Sequence, residues 1–175
     1  RRTRLMEAEG VTFVTGTDVG RDVTLETLSG QYDAIVLCCG ATLPRDLAVP
    51  GRDAGGVFFA VDYLRGVTEK VIGETQDFTV TAAGKNVVIV GGGDTGNDCV
   101  ATALRQGAKS VVQLEMMPQP PKTRAADNPW PEWQRTEKTG YGQEEAIAVF
   151  GRDPQIYQRT VKSLEKDMHG ALVSV

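Results

Sequence analysis

The stretch NVVIVGGGDTGNDCVATALRQG, residues 86–107, decides the fold. An apolar run from Val87 to Val90 meets Gly91, Gly92 and Gly93, and a fourth glycine follows at Gly96. The run reads as a strand. The segment from Asp94 reads as a helix, with Val100, Ala103 and Leu104 toward the sheet and Gly107 closing it. SVVQLE, residues 110–115, reads as the next strand. Strand, helix and strand within residues 86–115 form one right-handed βαβ unit, which requires a parallel sheet. The expected class is α/β, a Rossmann-like three-layer nucleotide-binding domain with a parallel central sheet.

Glycine is costly to order, so four of them at a strand-to-helix turn imply close approach by a ligand. Gly91, Gly93 and Gly96 make G-x-G-x-x-G in the context that gives this short motif its meaning. Gly91 permits the tight turn, Gly93 the approach of a pyrophosphate, and Gly96 close packing of helix on strand. Free N–H groups and the positive end of the helix dipole then face the phosphates. The candidate dinucleotide loop is Gly91, Gly92, Gly93, Asp94, Thr95 and Gly96. A carboxylate beside phosphates is repulsive, so Asp94 is expected to turn away and cap the helix, with TGND (95–98) resembling a capping box.

Glu115 ends the second strand, 19 positions after Gly96. There an acid accepts hydrogen bonds from an adenosine ribose and repels a 2′-phosphate, which favours NADH over NADPH. The alternative is an ordinary solvated carboxylate. Arg124 is near enough in sequence to reverse that preference by folding back.

Around this unit the chain reads as follows. RLMEAEG ends a helix at Gly10, and Val11–Val14 reads as a strand. QYDAIVLCCGA, residues 31–41, reads as a strand buried on both faces. TLPRDLAVPGRDAGG, residues 42–56, is a surface connection or domain crossing. VFFAVDYLRGVT reads as a short strand and one or two helical turns. Met116 to Gly140 carries five prolines, Trp130 and Trp133, and no regular element. That loop either covers a ligand or partner contact, or plugs a hydrophobic edge. YGQEEAIAVFG reads as a helix ended by Gly151. RDPQIYQRTVKSLEKD reads as another, with Asp153 as N-cap and Pro154 at its first position. ALVSV is a last strand.

Composition removes other classes. At 41% hydrophobic and 24% charged the chain is an ordinary globular one, and a net charge of −4 argues against nucleic acid. No apolar run approaches the roughly 18 residues of a membrane span. Its three cysteines, Cys38, Cys39 and Cys99, form no C-x-x-C, so neither a zinc ribbon nor a redox dithiol is read. All three are expected as buried free thiols of a reducing, cytoplasmic compartment. A single histidine, His169, rules out a multi-histidine metal site or triad within this chain. No catalytic and no metal-binding residue is assigned.

Together with AADNPWPEWQR and YGQEEAIAVFG, the glycine stretch resembles the small, or β, subunit region of glutamate synthase. That subunit belongs to the two-dinucleotide pyridine nucleotide oxidoreductases. YDAIVLCCGATLPRDLAVPG resembles the family's junction between FAD-binding and NAD(P)H-binding domains. The resemblance runs from about Tyr32 to Tyr157, and NPWPEW is its most specific part.

It implies that residues 1–54 end the first half of an FAD-binding domain and that 55–175 are the NAD(P)H-binding domain. It places Cys39, Gly40 and Ala41 near FAD. A hydride passes from NADPH or NADH to FAD, and electrons reach a large subunit through iron–sulfur clusters outside this chain. Glutamine and 2-oxoglutarate become glutamate there. On this expectation the chain is the middle of a longer oxidoreductase and is inactive alone. A thiol at Cys39 departs from the small residue usual in the family. The alternatives are the module of another iron–sulfur flavoprotein, of the dihydropyrimidine dehydrogenase or ferredoxin-NAD(P)H oxidoreductase kind, or a non-catalytic dinucleotide-sensing or docking module. The missing C-x-x-C counts against a thioredoxin reductase. NVVIVGGGDTG fits a methyltransferase loop poorly.

Overall fold

A computed structural model describes residues 1–41 and 43–175; Thr42, the first residue of the connection read at 42–56, lies outside them. The chain divides into two compact units, Arg1–Leu43 and Pro44–Val175.

In the first unit α1 spans Arg2–Ala8 and α2 spans Leu25–Gln31. Gly10, with φ +97°, turns the chain after α1 as expected. Thr24 caps α2, its Oγ1 accepting from Thr27 N at 3.2 Å. Neither strand expected in this unit forms: residues 11–14 and 32–41 lie outside any ladder. A strand exists only through pairing, and among the described residues no neighbouring edge accepts either segment. Val36 and Leu37 are accordingly exposed, at 83% and 65%. The expectation of buried thiols therefore fails for Cys38 and Cys39, which are exposed, and holds for Cys99.

The second unit opens with α3, Ala60–Val71, then β1 (Asn86–Val90), α4 (Asp94–Arg105) and β2 (Ser110–Glu115). Helix α5 (Tyr141–Phe150) and the strands β3 (Gln155–Tyr157), β4 (Glu165–Lys166) and β5 (Leu172–Ser174) follow. Strands β1, β2 and β3 make one parallel sheet in that order, with Val87 beside Val111 and Gln113 beside Gln155. The βαβ unit and the α/β class are as the sequence predicts.

Period-2 alternation sorts the sheet into two faces. Ile89 and Val111 join Cys99, Val100, Ala103 and Ala146 in the core, with Val87 and Leu104 packed at its margin. On the opposite face Val88, Val90 and Ile156 are exposed. Helix α3 flanks α4 on this core through Tyr63 and Leu64. It runs three turns, where one or two were expected and no strand precedes it. Gly66 and the β-branched residues of AVDYLRGVTEKV lower its local propensity, and burial against the core outweighs that. Gly66 is itself buried against the Phe78 ring.

The helix expected from Asp153 does not form; β3 stands there instead. Asp153 Oδ1 accepts from Gln155 N at 2.8 Å, the same bond an N-cap would make. Pro154 lacks an N–H but offers its carbonyl to Gln113 N at 2.8 Å, so it suits the first position of an edge strand equally well. The open edge of β2 decides between them. Strands β4 and β5 pair antiparallel, and Lys166 Nζ reaches Asp53 Oδ2 at 2.7 Å. Among the described residues no helix is long and apolar enough to cross a membrane.

Candidate functional site

The glycine loop leaves β1 at Gly91, whose φ of +121° few residues other than glycine adopt. Its N–H bonds Leu114 O at 2.8 Å, which keeps the turn in the plane of the sheet. A side chain on Gly96 would overlap the Gly91 carbonyl oxygen and lie 2.6 Å from Gln113 Nε2. Helix α4 approaches the strand that closely only because Gly96 has none. Gly93 differs: the space around its missing side chain is open within 4 Å.

Gly93, not Asp94, is the N-cap of α4, and no side chain caps the helix. The expected cap at Asp94 and the box at 95–98 are therefore corrected. Asp94 is the first helical residue, where its carboxylate favours the positive end of the dipole instead. Thr95 is exposed beside it. Asp98 accepts a 2.7 Å hydrogen bond from the Tyr141 hydroxyl, which raises the Tyr141 pKa. With Gly93 at the N-cap, the first-turn N–H groups of α4 have no side-chain cap.

Glu115 is drawn to this loop. Its Oε2 accepts from Gly92 N at 3.1 Å and its Oε1 from Met117 N at 2.7 Å, so both oxygens are anchored. A concavity of about 230 Å³ lies beside it, lined by Gly92, Asp94, Glu115, Thr136, Lys138 and Tyr157 among others. Arg124 stands elsewhere. Its Nη1 donates to Asn128 O at 2.8 Å and Glu132 O at 3.2 Å, bracing the proline-rich loop, and it lines a separate concavity with Trp130 and Trp133. Those tryptophans are 83% and 80% exposed, so they plug no edge within this unit. Cys39, Gly40 and Ala41 are exposed in the first unit.

Beneath the loop lies a group of polar residues that motif reasoning passed over. Gln113 is fully buried, and its Nε2 donates to Gly91 O at 2.8 Å. Gln143 Nε2 donates to Gln113 Oε1 at 3.1 Å and to Gln155 Oε1 at 2.7 Å. Tyr157 OH also donates to Gln155 Oε1, at 3.2 Å. Gln143 Oε1 accepts from Gly140 N at 2.6 Å, the reach-back half of a capping box on α5. Asn97 Oδ1 accepts from Gln143 N at 3.1 Å, tying α4 to the start of α5. One network thus runs from the glycine-loop carbonyl to the tyrosine that lines the concavity. Its signal in the sequence is Gln113, a polar residue on the inward face of an otherwise apolar strand.

A family model described as pyridine nucleotide-disulphide oxidoreductase matches residues 2–140. The chain belongs to that family. As a pyridine nucleotide-disulphide oxidoreductase chain it is 46% identical, over 97% of its length, to glutamate synthase [NADH] of Schizosaccharomyces pombe. It is 46% identical, over 98%, to the glutamate synthase [NADPH] small chain of Bacillus subtilis. Over 75% of its length it is 46% identical to the glutamate synthase [NADPH] small chain of Mycobacterium tuberculosis. It spans 8%, 35% and 28% of those three proteins respectively.

Proposed function

We propose that this chain is the dinucleotide-binding part of a longer NAD(P)H-oxidising flavoprotein of the glutamate synthase kind. The observation that carries the reading is the open backbone at Gly93, next to an uncapped helix and an anchored acid. Such a surface fits a pyrophosphate, whose oxygens take the free N–H groups of the first turn. Glu115 then meets the adenosine ribose, its carboxylate held in place by Gly92 and Met117. Gly91 and Gly96 shape the loop, and Gly92, Asp94 and Thr95 line its approach.

When bound, the nicotinamide supplies a hydride. The chain's own residues bind and orient it and contribute no acid, base or nucleophile. Residues 1–54 are proposed as the end of an FAD-binding half and 55–175 as the NAD(P)H-binding domain. The place of Cys39, Gly40 and Ala41 near FAD rests on the resemblance. A large subunit, reached through iron–sulfur clusters, is the proposed destination of the electrons, with glutamate as the product. Exposure of Trp130 and Trp133 supports their loop as a contact surface for that partner.

Calorimetric titration with NADH and NADPH tests the reading. Gly93→Val should abolish binding while leaving the circular dichroism unchanged, since its backbone (φ −80°, ψ −176°) suits any residue and no atom lies in the way. Undiminished binding by the variant overturns the loop assignment.

A further inference from the structure

The glycine-loop concavity holds two carboxylates, Asp94 and Glu115, and a single cation among its lining residues, Lys138. Backbone N–H groups bind both Glu115 oxygens and hold the carboxylate beside the loop. A second phosphate on the adenosine ribose would therefore lie against a fixed negative charge. The dinucleotide that carries such a phosphate enters only if a cation offsets it. Arg124 has its Nη1 engaged by two loop carbonyls and lines the other concavity.

Lys138 has the freedom that Arg124 lacks. Among the described residues it makes no ion pair, and its Nζ rests 4.6 Å from the centroid of the Trp133 ring. A cation–π contact at so exposed a place is weak, and a four-carbon stem is flexible. The residue lines both concavities, the one with Trp133 and the one with Glu115, so its side chain borders both. Thr136 also lines the glycine-loop concavity.

Building on the dinucleotide site proposed above, we infer that Lys138 is the specificity residue that admits a ribose 2′-phosphate beside Glu115. Lys138 leaves Trp133 when NADPH binds and stays on it when NADH binds. The chain thereby accepts either nucleotide, with Glu115 serving the hydroxyl form and Lys138 the phosphorylated form.

The test is titration of the 175-residue chain and its Lys138→Ala and Lys138→Arg variants with NADH and NADPH, by calorimetry. Trp133 emission is followed in a Trp130→Phe background. Lys138→Ala should weaken NADPH about tenfold and NADH less than about twofold, as the loss of one charge-assisted contact requires. Lys138→Arg should keep most of the NADPH affinity. NADPH, and not NADH, should change the Trp133 emission, and added salt should weaken NADPH more. Equal loss for both nucleotides, or none for either, overturns the inference while leaving the dinucleotide site intact. A wild-type chain that binds NADH but not NADPH also overturns this inference alone. Binding of neither overturns the site itself and the inference with it.

Discussion

Replacing Gln143 with leucine should unsettle the second unit far more than an exposed substitution would, through polar groups it never touches with solvent. Gln143 is 4% exposed and joins four partners. Leucine keeps the backbone bond to Asn97 and removes the three made by the side chain. Gln155 Oε1 retains the Tyr157 hydroxyl. The fully buried Gln113 Oε1 is left without a partner, at about 1–3 kcal/mol, and the half-buried Gly140 N loses one ordinary bond, at about 0.5–1.5 kcal/mol. Added apolar burial returns about 1–2 kcal/mol. At mid-range values the net loss is about 1–2 kcal/mol, a fall in Tm of roughly 2–8 °C for a chain of this size. Thermal and urea unfolding followed by circular dichroism measure it. The double variant Gln113→Leu, Gln143→Leu should lose at least about 1 kcal/mol less than the two single losses added, because both partners of the buried bond go together. A single variant within about 0.5 kcal/mol of wild type, or strict additivity in the double, would refute the network.

Four further outcomes are expected. Gly96→Ala drives a methyl group into the Gly91 carbonyl and Gln113, so it should cost about 1–3 kcal/mol and weaken nucleotide binding, both read on one sample by melting and calorimetry. At pH 8 a thiol reagent should label Cys38 and Cys39 promptly and Cys99 only after denaturant, because burial pushes the Cys99 thiol up to about 11. Since that thiol is easier to ionise unfolded, with an ordinary value of 9.0, its contribution to stability is full below pH 9 and lost as pH rises toward 11; a Cys99→Ala variant should show a shallower alkaline decline. Tyr141→Phe removes one bond to Asp98 at a residue 46% exposed, so unfolding should shift by less than about 1 kcal/mol and nucleotide titrations should not change.

How far the site was legible varies with the range of the forces involved. The turn at Gly91, the packing at Gly96 and the place of Glu115 at the end of the second strand follow from local pattern, which is written in the order of residues; that Glu115 binds Gly92 N does not. The placement of Arg124 was not. Sequence proximity allowed it to fold back on the ribose pocket, whereas its guanidinium braces the proline-rich loop. The charge of Asp94 beside a phosphate site points to a capping role, whereas Gly93 takes the N-cap position and leaves the first turn without a side-chain cap. Gln113 and Gln143 were passed over since neither belongs to a motif. Their significance comes from meeting in the interior across elements 30 positions apart.

The residue order by itself determined the βαβ unit, because apolar period and glycine placement act within one or two turns of chain. It likewise determined the stop of α5 at Gly151, whose φ of +73° suits glycine. Tertiary structure alone decided β3. Asp153 and Pro154 satisfy a helix start and a strand start with the same bond, and only the unpaired edge of β2 chooses between them. It also decided that residues 32–41 stay outside any ladder, since an apolar run becomes a strand only where another edge supplies its hydrogen bonds.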